Sequence, residues 1–240
     1  AFNPFVFYAA MKRHNIHGGT MMTSPNREIP PGNCLSPALS REHRNKIILK
    51  QALALSENKI FATLMKFTDP AMLTDIAQLS GVTAAMEFNP SVEPDSWEIT
   101  PLEMASAYAT FASGGIRHLP FYIWRVEDPL GHVIYEHLVQ GEKVLDDATV
   151  FQVVDMMQTV VNKGAAREIR KKGFSRPAAG VTGTSSGFQD AWFAGFTPGL
   201  STSVWAGYDI PKKLETVDGR GITGAIASVP IWTEFMKEAL

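Results

Sequence analysis

The sequence predicts a mixed α/β domain of the α+β kind, with an antiparallel sheet flanked by helices. Three observations carry that expectation. Apolar residues recur at helical spacing through much of the first two thirds of the chain. Three short β-rich runs, AAGVTGTSS, DAWFAGFTP and LSTSVWAGYD, then follow one another across turn residues, as the strands of an antiparallel meander do. Finally, VPIWTEFMKEAL closes the chain as an amphipathic helix able to cover that meander.

Pro4 fits the first turn of a helix, where a missing N–H costs nothing. Phe5, Tyr8, Ala9 and Met11 continue at helical spacing, and NIHGG ends the segment. Residues 18–45 are rich in Gly, Pro, Asn and Ser and predict a long loop with little regular structure. From about Lys46, IILKQALALSENKIFATLMKF is helical by period, with Ile48, Ala52, Leu55, Phe61, Leu64 and Met65 on one side. The polar triplet Ser56-Glu57-Asn58 interrupts it. Residues 70–81, PAMLTDIAQLSG, predict a short helix from Pro to Gly. Thr100 and Glu103 form a capping box around Pro101, and the helix they start runs to Gly114-Gly115. Two β-rich runs around Asp128-Pro129-Leu130-Gly131 predict a hairpin, and Asp146 or Asp147 opens the long helix ATVFQVVDMMQTVVNKG.

At 240 residues, 45% apolar and 19% charged, the chain is long and apolar enough for a sizeable core, which excludes a mostly disordered protein. A net charge of −2 and a pI near 6.3 lack the basic bias of a nucleic-acid binder. The densest basic run, REIRKKGFSR at Arg167–Arg176, predicts a solvated helix end. Cys34 is the only cysteine, so no intramolecular disulfide forms; its presence fits the cytoplasm or export. PFVFYAAM is too short to span a bilayer, and no signal peptide is visible. The chain opens already inside an apolar helical pattern, which predicts a fragment of a longer protein. His14 and His17 are three apart, but no acid or Cys accompanies them at a metal-site spacing, so they read as a helix end. No metal and no cofactor is expected.

Four segments carry a more specific signal. These are VTGTSSGFQDAWFAGFTPGLSTSVWAGYD, Ser56-Glu57-Asn58 after QALALS, the opening AFNPFVFYAAM, and ITPLEMASAYATFASGG. Together they resemble the transpeptidase domain of bifunctional, class A penicillin-binding proteins. In that family the first reads Lys-Thr-Gly-Thr and then Asp-Ala-Trp-Phe-x-Gly-Tyr-Thr-Pro. The second is the Ser-x-Asn motif, the third follows a Ser-x-x-Lys nucleophile, and the fourth is the Thr-Pro-Leu-Glu-Met-Ala helix. The resemblance implies a penicillin-binding transpeptidase fold, related to serine β-lactamases, over residues 1–240. It implies a helical subdomain at about 46–115 and a missing N-terminal part upstream, with any glycosyltransferase module and membrane anchor. It further implies work outside the cytoplasmic membrane on peptidoglycan stem peptides, with β-lactams as ligands and cell-wall synthesis proteins as possible partners.

Acyl transfer at a peptide or β-lactam carbonyl needs an activated hydroxyl, a proton acceptor and donors for the oxyanion. The resemblance assigns Ser56 and Asn58 a proton-relay and substrate-holding role, and makes Val181, Thr182, Gly183 and Thr184 the cleft-lining strand. A peptide substrate would lie along that strand's edge. Two departures matter. Asn3 stands where the family's first Lys does, and the nucleophilic Ser would precede Ala1. Val181 stands where the second Lys does. An amide is not basic and Val carries no charge, so the proton chemistry is in doubt.

Other readings of the same residues stand beside these. Ser56-Glu57-Asn58-Lys59 is itself a Ser-x-x-Lys string, with its ends one turn apart on an expected helix; short matches of this kind arise by chance. Asp190 reads as a strand-start residue satisfying nearby backbone rather than a catalytic acid. Trp192, Phe193, Phe196, Trp205 and Tyr208 are expected to pack between sheet and helices, with a ligand platform as the alternative. Two functions follow: a degenerate transpeptidase domain kept as a stem-peptide binding module or scaffold, or an active D,D-transpeptidase acylating on an upstream Ser with a substituted base.

Overall fold

In the computed structural model, which describes residues 1–23, 46–84 and 98–240, the first helix runs through the middle of the core. Helix α1 (Asn3–His14) is buried at every position from Pro4 to Met11. A helix apolar on all sides belongs inside, where each face finds a partner. Asn15, in the left-handed conformation at φ 50°, ends it, and Lys12, Arg13 and His14 meet the negative end of its dipole.

Strand β1 (Met21–Thr23) pairs antiparallel with β2 (Lys46–Ile48). Two readings change here. Residues 21–23 are a strand inside the expected loop, and Lys46–Ile48 is a strand rather than the start of a helix. Three residues are too few for periodicity to separate from a loop or a helix end. Residues 24–45, with Cys34, lie outside the described residues. The helical stretch that follows is split into α2 (Leu49–Ala54) and α3 (Asn58–Phe67). Next comes α4 (Pro70–Ser80), capped by the Asp69 carboxylate, which accepts from Ala71 N–H at 3.0 Å, and ended at Gly81.

Helix α5 (Pro101–Ala112) starts in the expected capping box of Thr100 and Glu103. It leads into an arm of two short antiparallel pairs. Strand β3 (Ile116–His118) pairs with β6 (Gly141–Lys143), and β4 (Arg125–Glu127) with β5 (Val133–Glu136). Asp128 holds the turn between β4 and β5 by accepting from the N–H groups of Leu130 at 2.8 Å and His132 at 2.9 Å. The long helix α6 (Asp147–Lys163) is capped by Asp146, whose carboxylate accepts from Thr149 N–H at 2.9 Å. A single turn, α7 (Glu168–Lys171), lies within the basic run. Arg170 there is not simply solvated: it donates to Asn162 Oδ1 and to the Phe174 and Arg176 carbonyls.

The meander forms as expected: β7 (Ala179–Thr184), β8 (Ala191–Thr197) and β9 (Leu200–Ala206) are antiparallel, in that spatial order. Helices cover both faces. On one, α5 packs through Tyr108 against Phe196, with ring centroids 6.4 Å apart, and accepts Ser201 Oγ–H and Ser203 Oγ–H at the Ala105 and Pro101 carbonyls. On the other, α8 (Ser228–Ala239) sets Trp232 edge-on to Phe193 at 5.2 Å.

Candidate active site

Strand β7 runs from the core towards the surface: Ala179, Gly180 and Val181 are buried, and Thr182, Gly183 and Thr184 are half-buried. Side chains alternate along a strand, and directly paired residues share a face. Gly183, Trp192 and Trp205 therefore form one row, and Val181, Ala194 and Ser203 the row beside it on the same face. Val181 has no exposed surface and belongs to the main core. On the opposite face, Thr184 Oγ1 accepts from Gly224 N–H at 3.1 Å. The outer edge of β7 has no partner strand among the described residues.

The start of α1 meets this strand. A β-carbon on Gly183 would collide with the Ala1 backbone nitrogen and lie 3.2 Å from Ala1 Cα. Glycine at 183 thus lets the chain entering α1 press against β7. Ala1 is also held by Tyr108 of α5, whose hydroxyl donates to the Ala1 carbonyl at 2.7 Å. Tyr108 is fully buried, and desolvation pushes its pKa far above the ordinary tyrosine range, so it stays a neutral donor. Asn3, half-buried, is the first residue of α1. The structure therefore brings the first and third sequence motifs together.

Ser56-Glu57-Asn58 forms the turn between α2 and α3. Ser56 is half-buried and has φ 53°, an uncommon conformation for a residue with a side chain, while Asn58 is the exposed first residue of α3. Ser56 N–H reaches the Leu53 carbonyl at 3.1 Å and Glu57 N–H the Ala52 carbonyl at 2.9 Å, which closes the turn. Helix α3 packs along α1, the helix that carries Asn3. The left-handed Ser56 also overturns one reading. Ser56 and Lys59 do not share a helix, because α3 begins only at Asn58.

The Asp190 carboxylate accepts from Trp205 Nε1–H at 2.9 Å. One further expectation changes. Of the aromatic set, Phe193 and Phe196 are buried and Trp192 half-buried, but Trp205 is 37% and Tyr208 50% exposed. The last two stand at the end of β9 and just beyond it. His14 Nε2 lies 3.0 Å from the Phe67 carbonyl and His17 Nδ1 accepts from Gly19 N–H, and no metal-binding cluster occurs among the described residues. A shallow recess of about 200 Å³ between His17, Ile48, Lys50 and Asp155 shares no residue with the candidate site, and Lys50 there is already paired to Asp155 at 2.7 Å.

Sequence reasoning missed Tyr108 and Gly224. Tyr108 sits in an apolar helical pattern and reads as core. Gly224 lies against the Gly183 carbonyl, 2.6 Å from where its β-carbon would be, yet no motif marks it. Its only signal is a glycine between two β-branched residues and alanine.

The arrangement of these motifs has close counterparts. Residues 2–228 match the family model described as the penicillin binding protein transpeptidase domain. The chain belongs to that family. The transpeptidase domain is 35% identical over 197 residues to penicillin-binding protein 1A of Aquifex aeolicus (strain VF5), covering 82% of this chain and 26% of that protein. It is 32% identical to penicillin-binding protein 2D of Bacillus subtilis (strain 168), over 99% of this chain and 35% of that protein. The chain thus spans about a quarter to a third of the length of these curated relatives. Among solved structures, the penicillin-binding protein PonA1 of Mycobacterium tuberculosis superimposes with a TM-score of 0.79 at 25% identity, covering all of this chain and 68% of that one. Penicillin-binding protein 1A of Haemophilus influenzae does so at 0.81 and 23%, covering all of this chain and 41% of that one, which speaks for the fold alone.

Proposed function

We propose that this transpeptidase domain binds peptidoglycan stem peptides, or a β-lactam in their place, along the open edge of β7, with acyl transfer impaired or absent. It would act as a binding or scaffold module of cell-wall synthesis on the extracytoplasmic side of the membrane, in contact with other cell-wall proteins. Any membrane attachment would come from polypeptide outside this chain, since no described helix is long and apolar enough to cross a bilayer. No nucleic acid, metal or cofactor takes part.

One observation carries the reading: Val181, fully buried, lines the same face as Gly183, against which the start of α1 rests. That is the face on which the family resemblance expects a cation. A buried apolar side chain there neither accepts a proton nor attracts a carboxylate. Asn3, at the other lysine position, has an amide that is not basic. Groups that act as one catalytic unit lose most of their effect when one is missing, so the loss of two weighs heavily. The means of holding a peptide remain: a strand edge that has no partner strand among the described residues, with Thr182 and Thr184 beside it, would supply main-chain hydrogen bonds.

The test is labelling of the whole polypeptide that carries this domain with a fluorescent penicillin, beside a binding measurement with a D-Ala-D-Ala stem-peptide mimic. The expected result is reversible binding of the mimic without a stoichiometric adduct. A stoichiometric covalent adduct overturns the reading and favours an active transpeptidase acylating on the residue that joins at the Ala1 nitrogen. Neither binding nor adduct overturns both.

A further inference from the structure

We propose that the outer edge of β4 is a docking surface for a second copy of this chain, pairing β4 with β4 about a two-fold axis. The proposal is independent of what binds at β7.

The arm from Ile116 to Lys143 is almost entirely solvent-exposed, yet it carries Phe121, Tyr122, Ile123, Trp124, Val126, Leu130, Val133, Ile134 and Tyr135. An isolated two-stranded pair is marginal in water, and so large an exposed apolar set on it marks an interaction surface. Among the described residues β4 pairs only with β5, so its other edge is open.

The backbone says which groups that edge offers. Trp124 and Asp128 turn inward: the Trp124 carbonyl accepts from His137 N–H at 2.8 Å, and Asp128 N–H donates to the His132 carbonyl at 2.9 Å. In an antiparallel ladder alternate residues face alternate neighbours. Arg125 and Glu127 therefore point their N–H and C=O groups outward. The irregularity in the ladder falls on β5, where Ile134 is the extra residue between the partners of Val126 and Glu127. A bulge bends and blunts its own strand, which leaves β4 as the regular edge.

The side chains at that edge are self-complementary. An antiparallel two-fold pairing centred on Val126 sets Arg125 of each copy opposite Glu127 of the other. Those are the residues with outward backbone groups, so each pair also exchanges two main-chain hydrogen bonds. Opposite charges across a ladder stabilise it, and like charges oppose it. Sliding the register by two residues sets Arg125 on Arg125, or Glu127 on Glu127, so the charges select one register. Within a single copy Arg125 and Glu127 already form an ion pair with each other, and exchange between copies leaves no charge unmatched. The same pairing makes a four-stranded sheet whose one face joins Trp124, Val126 and Tyr135 of both copies, with Phe121 beside Trp124 at 5.7 Å. A two-fold contact of this kind closes on itself and stops at the dimer.

Sedimentation equilibrium of the chain over a micromolar range tests this. The wild type is expected to follow a monomer–dimer equilibrium. Arg125→Glu and Glu127→Arg, each alone, put like charges at both reciprocal contacts and are expected to weaken the dimer by about tenfold or more. An equimolar mixture of the two single variants matches two acidic residues to two basic ones and is expected to recover dimerisation. The doubly swapped variant Arg125→Glu/Glu127→Arg recovers it within one chain, which also controls for misfolding of a single variant. A wild type that stays monomeric, single variants that dimerise as tightly as the wild type, or a mixture that fails to recover each overturns the proposal.

Discussion

The backbone of Ala1 occupies the space that a side chain on Gly183 would need. A β-carbon at 183 would overlap the Ala1 nitrogen and lie 3.2 Å from both Ala1 Cα and Trp192 Cβ. Backbone cannot swing aside as a flexible side chain can. Gly183→Ala is therefore expected to destabilise the domain by about 1–3 kcal/mol, the usual cost of overpacking. Gly199→Ala is the control, because a β-carbon there meets nothing within 4 Å. Urea midpoints should fall for the first and move little for the second. Equal effects would show that α1 does not press on β7 at this point.

Tyr108 holds the same residue by its carbonyl. Tyr108→Phe keeps the ring contacts with Phe5, Phe111 and Phe196 but removes the donor to the Ala1 carbonyl. Ala1 is half-buried, and losing this donor is expected to cost about 0.5–1.5 kcal/mol. The urea midpoint is expected to fall accordingly with an unchanged slope. An unaltered midpoint would mean that the bond contributes nothing net.

Much of this was legible in the sequence, and the reasons differ by element. Thr100 and Asp146 are local signals, satisfied within a few residues, and each caps the helix it was expected to start. The meander declared itself by β-rich runs parted by turn residues. What was not legible is tertiary. Ser56 takes a left-handed conformation, which the interrupting triplet Ser56-Glu57-Asn58 does not by itself specify. Nothing in VTGT says that Val181 is sealed while Gly183 touches Ala1, since the strand's exit from the core depends on what packs over it. Trp205 follows the meander's aromatic pattern and still stands partly in solvent, tied to Asp190.

The acid limb of stability should report Glu103. Burial alone would raise its pKa, but hydrogen bonds from the side chains and backbones of Thr83 and Thr100 outweigh that, lowering it from 4.5 to about 2. A depressed carboxylate contributes stability that is full above its unfolded pKa and is lost as pH falls through the folded one. Glu103→Gln should therefore cost roughly 1–2 kcal/mol at neutral pH, after allowance for solvent screening. The gap between wild type and variant should stay constant above the unfolded value of 4.5 and close as pH approaches about 2. Urea midpoints measured from neutral pH downwards check it. A gap that does not change with pH would assign the loss to shape rather than charge.

Restoring the two cations tests the proposed loss of proton chemistry, and the structure adds a condition to that experiment. Asn3 is half-buried at a helix start, so Asn3→Lys can keep its ammonium near water. Val181 is fully buried, so Val181→Lys alone places a charge in the core and is expected to destabilise by about 2–5 kcal/mol unless the side chain finds the cleft. A desolvated Lys also loses its proton more readily, which is the property a base needs. In the whole polypeptide, Asn3→Lys/Val181→Lys is expected to label with fluorescent penicillin faster than the wild type, while either change alone does little because the groups act together. Circular dichroism must first show that the double variant folds. A folded double variant that still forms no adduct would place the defect beyond these two side chains, at Ser56 and Asn58 or at the residue preceding Ala1.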